Sequence, residues 1–203
     1  MEFAVSLLKK SMLLMFLSVG SLVFAQRFDI QQGGLKNLKG ISQYHVAFDY
    51  NDIKIHGFDS EEAYLRDKMQ KREKVAGKAE KFREDWFAYR TQLYEPAFAS
   101  YFNKSFKKGE IQVGSLPEAK YTMTIKTLWV YPGYNAGTAI EPAKITALVT
   151  ITETQNPDNV LVKILFDKSI GLEHDLGNTL GDRISWAYEK IARNLSLQLK
   201  RFL

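Results

Sequence analysis

Residues 145–166 read ITALVTITETQNPDNVLVKILF. Ile145, Ala147, Val149 and Ile151 alternate with Thr146, Leu148 and Thr150, and beyond Asn156-Pro157-Asp158-Asn159 the alternation resumes with Val160, Val162, Ile164 and Phe166. Successive side chains of a strand point to opposite faces, so this pattern predicts two half-buried antiparallel strands joined by turn chemistry. The preceding stretch, KYTMTIKTLWVY at 120–131, alternates in the same way. It is expected to place Tyr121, Met123, Ile125, Thr127 and Trp129 on one face and Lys120, Thr122, Thr124, Lys126 and Leu128 on the other. Tyr131-Pro132-Gly133-Tyr134-Asn135-Ala136-Gly137 is turn chemistry, so the three strands follow one another as a meander.

Upstream of the meander the period changes. Tyr44, Val46, Phe48 and Tyr50 alternate with His45, Ala47 and Asp49 as a first strand, while Gln31-Gln32-Gly33-Gly34 breaks any earlier periodicity. From Glu61 to about Phe102 apolar residues recur at helical steps (Leu65, Met69, Ala76, Ala79, Phe82, Trp86, Leu93, Ala97), opened by Asp59 or Ser60 as N-cap. Gly77 divides this region, and Pro96 is expected to kink or restart it because the ring removes a hydrogen bond and collides with the preceding turn. Asp67 and Lys71 are spaced as an i,i+4 ion pair on a solvated face. Ile111 to Val113 could add a short edge strand.

The chain closes on a helix. Thr179 and Asp182 have capping-box spacing, and Ile184, Ala187, Ile191, Leu195, Leu199 and Phe202 form one apolar stripe that can dock on a sheet. Lys200 and Arg201 suit the negative end of that helix. Strand, helices, three-stranded meander and helix make an α+β fold: a two-layer sandwich, an antiparallel meander of four to five strands with helices packed on one face.

Residues 1–25 are expected to be an export signal, with Lys9-Lys10, an apolar run from Ser11 to Phe24, and Val23-Phe24-Ala25 before the cut. That run is too short to span a bilayer as a helix. Residues 26–203 are then a single α+β domain, periplasmic or secreted, with no integral membrane span after cleavage. Loss of Lys9, Lys10 and Glu2 lowers the net charge from +5 to about +4, with acids and bases interleaved, which argues against a nucleic-acid partner. The chain has no cysteine, which excludes disulfide scaffolds, thiolate metal sites and cysteine nucleophiles, as well as a lipidated N-terminal cysteine.

Chemistry-bearing motifs are sparse. His45, His56 and His174 are the only imidazoles, with no metal-ligand spacing between them. His45 is expected to be exposed or to face an edge. Glu173-His174-Asp175 lies in a glycine-bounded connection, without a serine elbow to activate. GLEHDLGNT at 171–179 misses the spacing and the lysine of a phosphate loop. Asp49-Tyr50-Asn51-Asp52 lacks the rest of a calcium loop and is expected to be a turn. No metal, cofactor or catalytic residue is assigned.

Two surfaces remain as candidates. Tyr131, Tyr134 and Asn135 sit on a Pro-Gly turn where amphipathic rings can meet a partner. Phe82, Trp86, Phe98 and Phe102 could instead line a lipid or small-molecule pocket, although at helical spacing they also suit a core.

The strand-one segment, WFAYRTQLYEPAFASYFN at 86–103, KYTMTIKTLWVYPGYNAG at 120–137 and the final helix together resemble small uncharacterised secreted proteins of Bacteroidetes, nearly end to end. The likeness includes Glu95-Pro96, Pro142 and Asn156-Pro157. The element order is also similar to the N-terminal domain of the Tol-system propeller protein and to the periplasmic domain of the curli secretion lipoprotein, a likeness of fold alone. The expectation is a non-enzymatic, envelope-associated binding protein whose partner is another cell-envelope protein or component. The rival is a small-molecule or lipid carrier, and a third reading, a hydrolase, would need carboxylates gathered around His174.

Overall fold

A computed structural model describes residues 28–106, 108–137, 139–171 and 179–202. The meander forms as its alternation dictates: β5 (Tyr121–Tyr131), β8 (Lys144–Glu153) and β9 (Asn156–Ile170) pair antiparallel. Between β5 and β8 the chain makes a small separate hairpin of β6 (Tyr134–Asn135) and β7 (Ile140–Glu141).

The sheet reaches further than the meander. β1 (Phe28–Gly33) lies antiparallel on β9, β2 (Gln43–Asp49) runs parallel to β5, and β4 (Gln112–Gly114) runs parallel to β2 at the far edge. Two-residue β3 (Lys54–Ile55) also pairs with β5, beyond the end of β2. The result is a seven-stranded mixed sheet in the order β1-β9-β8-β5-β2-β4. The segment around Gln31-Gln32, where no element was expected, is β1. Its polar alternation hides it because it is an exposed edge, with a register shift between Ile30 and Gln32. β2 can be parallel to β5 because helices intervene between them.

Helices cover one face. Ser60 caps α1 (Glu61–Gln70), its hydroxyl oxygen accepting from the Ala63 N–H at 3.1 Å. Gly77, in the left-handed region at φ +75°, separates α1 from α2 (Lys78–Tyr89). Asp67 and Lys71 pair as their spacing predicts, at 2.8 Å. Pro96 has no N–H to donate, and just before it the helix widens into one π turn, Arg90–Tyr94, closed by the Glu95 N–H reaching back to Arg90 O. The chain continues as α3 (Glu95–Ser105), which packs along α4 (Leu180–Leu199). Thr179 and Asp182 form the complete capping box of α4. Ile184, Ala187, Ile191, Leu195 and Leu199 are buried as the stripe predicts, while the side chain of Phe202 lies outside the described residues.

The core lies between the helices and one face of the sheet, with Met123, Ile125, Ile145, Ala147, Val149, Ile151, Val162, Ile164 and Phe166 fully buried. Across it the Tyr188 hydroxyl shares a 2.5 Å hydrogen bond with Thr127 Oγ1. Among the described residues no helix covers the opposite face, which carries the half-buried Thr122, Thr124, Lys126, Leu148, Thr150, Lys163 and Leu165. Among the described residues no helix is long and apolar enough to cross a membrane.

Candidate functional site

Trp129 does not share a face with Met123. The β5–β8 register slips between Thr127 and Trp129, so Thr127 stands opposite Ala147 and Trp129 opposite Thr146. One extra residue, Leu128, reverses the phase, and Trp129 and Tyr131 turn to the open face of the sheet. β9 is irregular at the same level: Ala147 faces Phe166 and Ile145 faces Ser169, with Asp167 and Lys168 between. Lys168 takes φ +46°, a left-handed conformation that costs a side-chain-bearing residue free energy, and the buried Ser169 hydroxyl has no hydrogen-bond partner among the described residues. Matching irregularities on neighbouring strands, held against strain, present two aromatic rings outward.

The rings are firmly seated. Trp129 and Tyr131 are 6.4 Å apart between centroids, with planes 16° apart. His56, just past β3, meets both edge-on at 5.7 and 5.1 Å. On the other side Lys144 Nζ lies 5.1 Å over the Tyr131 ring and Lys168 Nζ 5.9 Å over the Trp129 ring. The Tyr131 hydroxyl donates to Glu141 Oε2 at 2.6 Å, and Lys144 Nζ donates to Glu141 Oε1 at 2.9 Å. The hydrogen bond to Glu141 pushes the Tyr131 pKa up to about 12, and the same bond, with that from Lys144, lowers the Glu141 pKa. The turn that brings Glu141 back requires Gly133, at φ +64°, because a Cβ there would stand 2.3 Å from the Glu141 carbonyl oxygen.

Of the expected partner-binding residues, Tyr134 is 46% exposed and pairs with Glu141 across the small hairpin, while Asn135 Oδ1 accepts from the Gly137 N–H at 3.0 Å. Tyr131 is half-buried, with its hydroxyl fixed. The three residues therefore stand together at one end of the sheet. They are joined there by Trp129, His56, Glu141, Lys144 and Lys168, which sequence reasoning missed. The signal was present: Leu128-Trp129-Val130-Tyr131 is an unbroken apolar run in an otherwise alternating strand.

The four aromatics expected as possible pocket lining are placed differently. Phe98 and Phe102 are fully buried with rings 6.1 Å apart, Trp86 is 4% exposed, and Phe82 is half-buried beneath Arg72. Trp86 Nε1–H donates to Glu61 Oε1 at 2.7 Å, and Arg90 Nη2 donates to both Glu61 oxygens at 2.6 and 2.7 Å. The Arg90 guanidinium lies between the Tyr50 and Phe87 rings, at 4.7 and 4.8 Å. This clamp borders a polar cleft of about 490 Å³ formed with Tyr50, Asp52, Lys54 and Asp59. A second groove, of about 520 Å³, runs between α1 and α2 over Leu65, Met69 and Phe87. Neither is lined by Phe82, Trp86, Phe98 or Phe102.

His45 is not simply exposed at an edge: its Nδ1 accepts from the Leu116 N–H at 3.2 Å, which ties β2 to the loop after β4. Asp49 Oδ1 accepts from the Asn51 N–H at 2.9 Å, so the Asp49–Asp52 stretch is the expected turn. His174 and its flanking carboxylates lie outside the described residues. Among the described residues no three His, Asp or Glu side chains converge as metal ligands. No family model matches the chain, and no curated protein matches it in sequence.

Proposed function

We propose that the chain is an exported, non-enzymatic binding domain of the cell envelope, periplasmic or secreted, that meets its partner with the end of the sheet bearing Trp129, Tyr131 and Tyr134. One observation carries this reading. The sheet is bulged so as to turn two large rings away from the core, while the other candidate aromatics are packed inward. Large side chains held rigidly at a surface lose little conformational entropy on binding, so they contribute more of their contact energy to affinity. Of the five large hydrophobics exposed among the described residues, Tyr134 and Ile170 flank this same end. Export rests on the composition of residues 1–25, and β1 begins at Phe28, so cleavage after Ala25 would leave every described element whole.

The test is site-specific photo-crosslinking in the native envelope. A benzophenone side chain at Tyr134 should yield a discrete adduct that the same probe at Leu197, exposed on α4, does not give. No adduct from position 134, or the same adducts from both positions, would remove the reading.

A further inference from the structure

The faces of Trp129 and Tyr131 look across the sheet toward β8 and β9, since the ammonium groups lying over them come from those two strands. Between the rings and β9 lies the short side chain of Thr146, opposite Trp129 on β8. Thr146 Oγ1 donates to Asp167 Oδ1 at 3.0 Å and accepts from the Lys168 N–H at 3.1 Å. Side by side on the open face lie two rings on β5 with planes 16° apart, Thr146 on β8, and Asp167 and Lys168 on β9, a strip here called the trough. Two strand spacings separate β5 from β9, about 9.5 Å between backbones.

Its chemistry is as particular as its shape. A sugar ring offers an apolar C–H face and a rim of hydroxyls that both donate and accept. The trough offers the matching set: ring faces for the C–H groups, Lys144 and Lys168 as donors, and the carboxylates of Glu141 and Asp167 as acceptors. Lys144 and Lys168 are balanced by Glu141 and Asp167, and Lys54, beside Trp129 on β3, adds one further positive charge, too small an excess to select a polyanion. The centre of a protein–protein interface is depleted of charged residues, whereas here an ammonium lies over each ring. We propose that this trough binds a neutral glycan chain, with one sugar ring stacked on Trp129 and the next on Tyr131. The ammonium groups of Lys144 and Lys168 swing off the rings to the hydroxyl rim as the sugar enters. This rests on the reading of the same surface as the binding end and names its ligand class.

The test titrates the folded protein with cellohexaose, maltohexaose, chitohexaose and mannohexaose, followed by tryptophan fluorescence and saturation-transfer NMR. The expected result is saturable binding of at least one hexaose, weakened about tenfold or more by Trp129→Ala and by Tyr131→Leu, and unchanged by Leu197→Ala. Circular dichroism and melting curves show which variants are folded, and Lys168→Ala, which leaves both rings in place, is expected to weaken binding by a smaller factor. Absence of saturable binding to all four at millimolar concentration overturns the proposal, as does unchanged affinity in a folded Trp129→Ala. If the hexaoses fail while Tyr134 still crosslinks to an envelope protein, the glycan assignment falls and the partner-binding reading stands. If both fail, both fall.

Discussion

The Tyr131 hydroxyl and the Glu141 carboxylate are joined by a 2.6 Å hydrogen bond across the loop that carries Tyr134, with Lys144 holding the carboxylate's other oxygen. The bond favours the neutral phenol and the ionised acid, so each group's pKa reports on the loop. The hydrogen bond to Glu141 pushes the Tyr131 pKa up to about 12, above the ordinary tyrosine value of about 10. A pKa raised on folding contributes stability that is present below the unfolded value and lost as pH rises from about 10 through 12. In a phenolate absorbance titration Glu141→Gln should bring one tyrosine back toward the ordinary range. If the titration curve is unchanged, the bond is not made in solution.

Thr127 and Tyr188 hydrogen-bond to each other in the core, and both are almost fully buried. Thr127→Val takes from a buried phenolic hydroxyl its close partner, at an expected cost of ~1–3 kcal/mol in urea denaturation. Adding Tyr188→Phe should recover much of the loss, since two apolar groups then meet. Losses that simply add would mean that the hydroxyls do not depend on each other.

Phe98→Ala and Phe102→Ala should each cost ~3–5 kcal/mol, because each leaves a cavity in a filled interior. Phe82→Ala should cost less, its ring being partly in solvent under Arg72. Side chains lining a ligand cavity would give the reverse: mild losses at Phe98 and Phe102, and a clear rise in melting temperature on adding fatty acid.

Arg90 is the main neutralising partner of a Glu61 carboxylate whose side chain is 12% exposed. Arg90→Ala leaves that acid with the Trp86 N–H alone, and a loss of ~2–4 kcal/mol is expected. Glu61→Gln keeps an acceptor for Trp86 and should be milder. Equal losses in the two variants would show that the pair acts by packing and not by charge.

Lys168→Gly removes a side chain from a left-handed residue on β9. The strain relieved exceeds the added chain entropy, so stability should rise by ~0.5 kcal/mol even though the cation over Trp129 is lost. A drop in the urea midpoint would place the value of this position in the side chain and not in the backbone.

The sequence was most legible where burial follows one period. Ile145 to Ile151, Val162 to Phe166 and Ile184 to Leu199 each keep one phase, because a filled interior leaves no other choice. Gly77 and Pro96 were legible because backbone chemistry acts locally. β1 was not, since an exposed edge strand has no buried face to imprint a pattern, and its partner β9 lies far along the chain. The parallel placing of β2 beside β5 is a tertiary choice with no local mark. Trp129 was misplaced because alternation was extrapolated through Leu128. The outward turn of both rings follows from that one inserted residue, while the cation over Trp129 depends as well on the irregularity in β9.

Both outer strands on either side of the meander come from early in the chain or depend on it: β1 closes on β9, and β2 and β4 complete the other flank beside β5. Phe28 must find Phe166, so the first strand to be made waits for nearly the last. A ribosome delivering this polypeptide releases its opening third with no mate to bind, and contacts so distant along the chain make for slow folding. β2 finds its partners sooner, in β4 and β5, whereas β1 has none before β9 has been synthesised. The sheet's outermost strand is thus the one whose entry closes it.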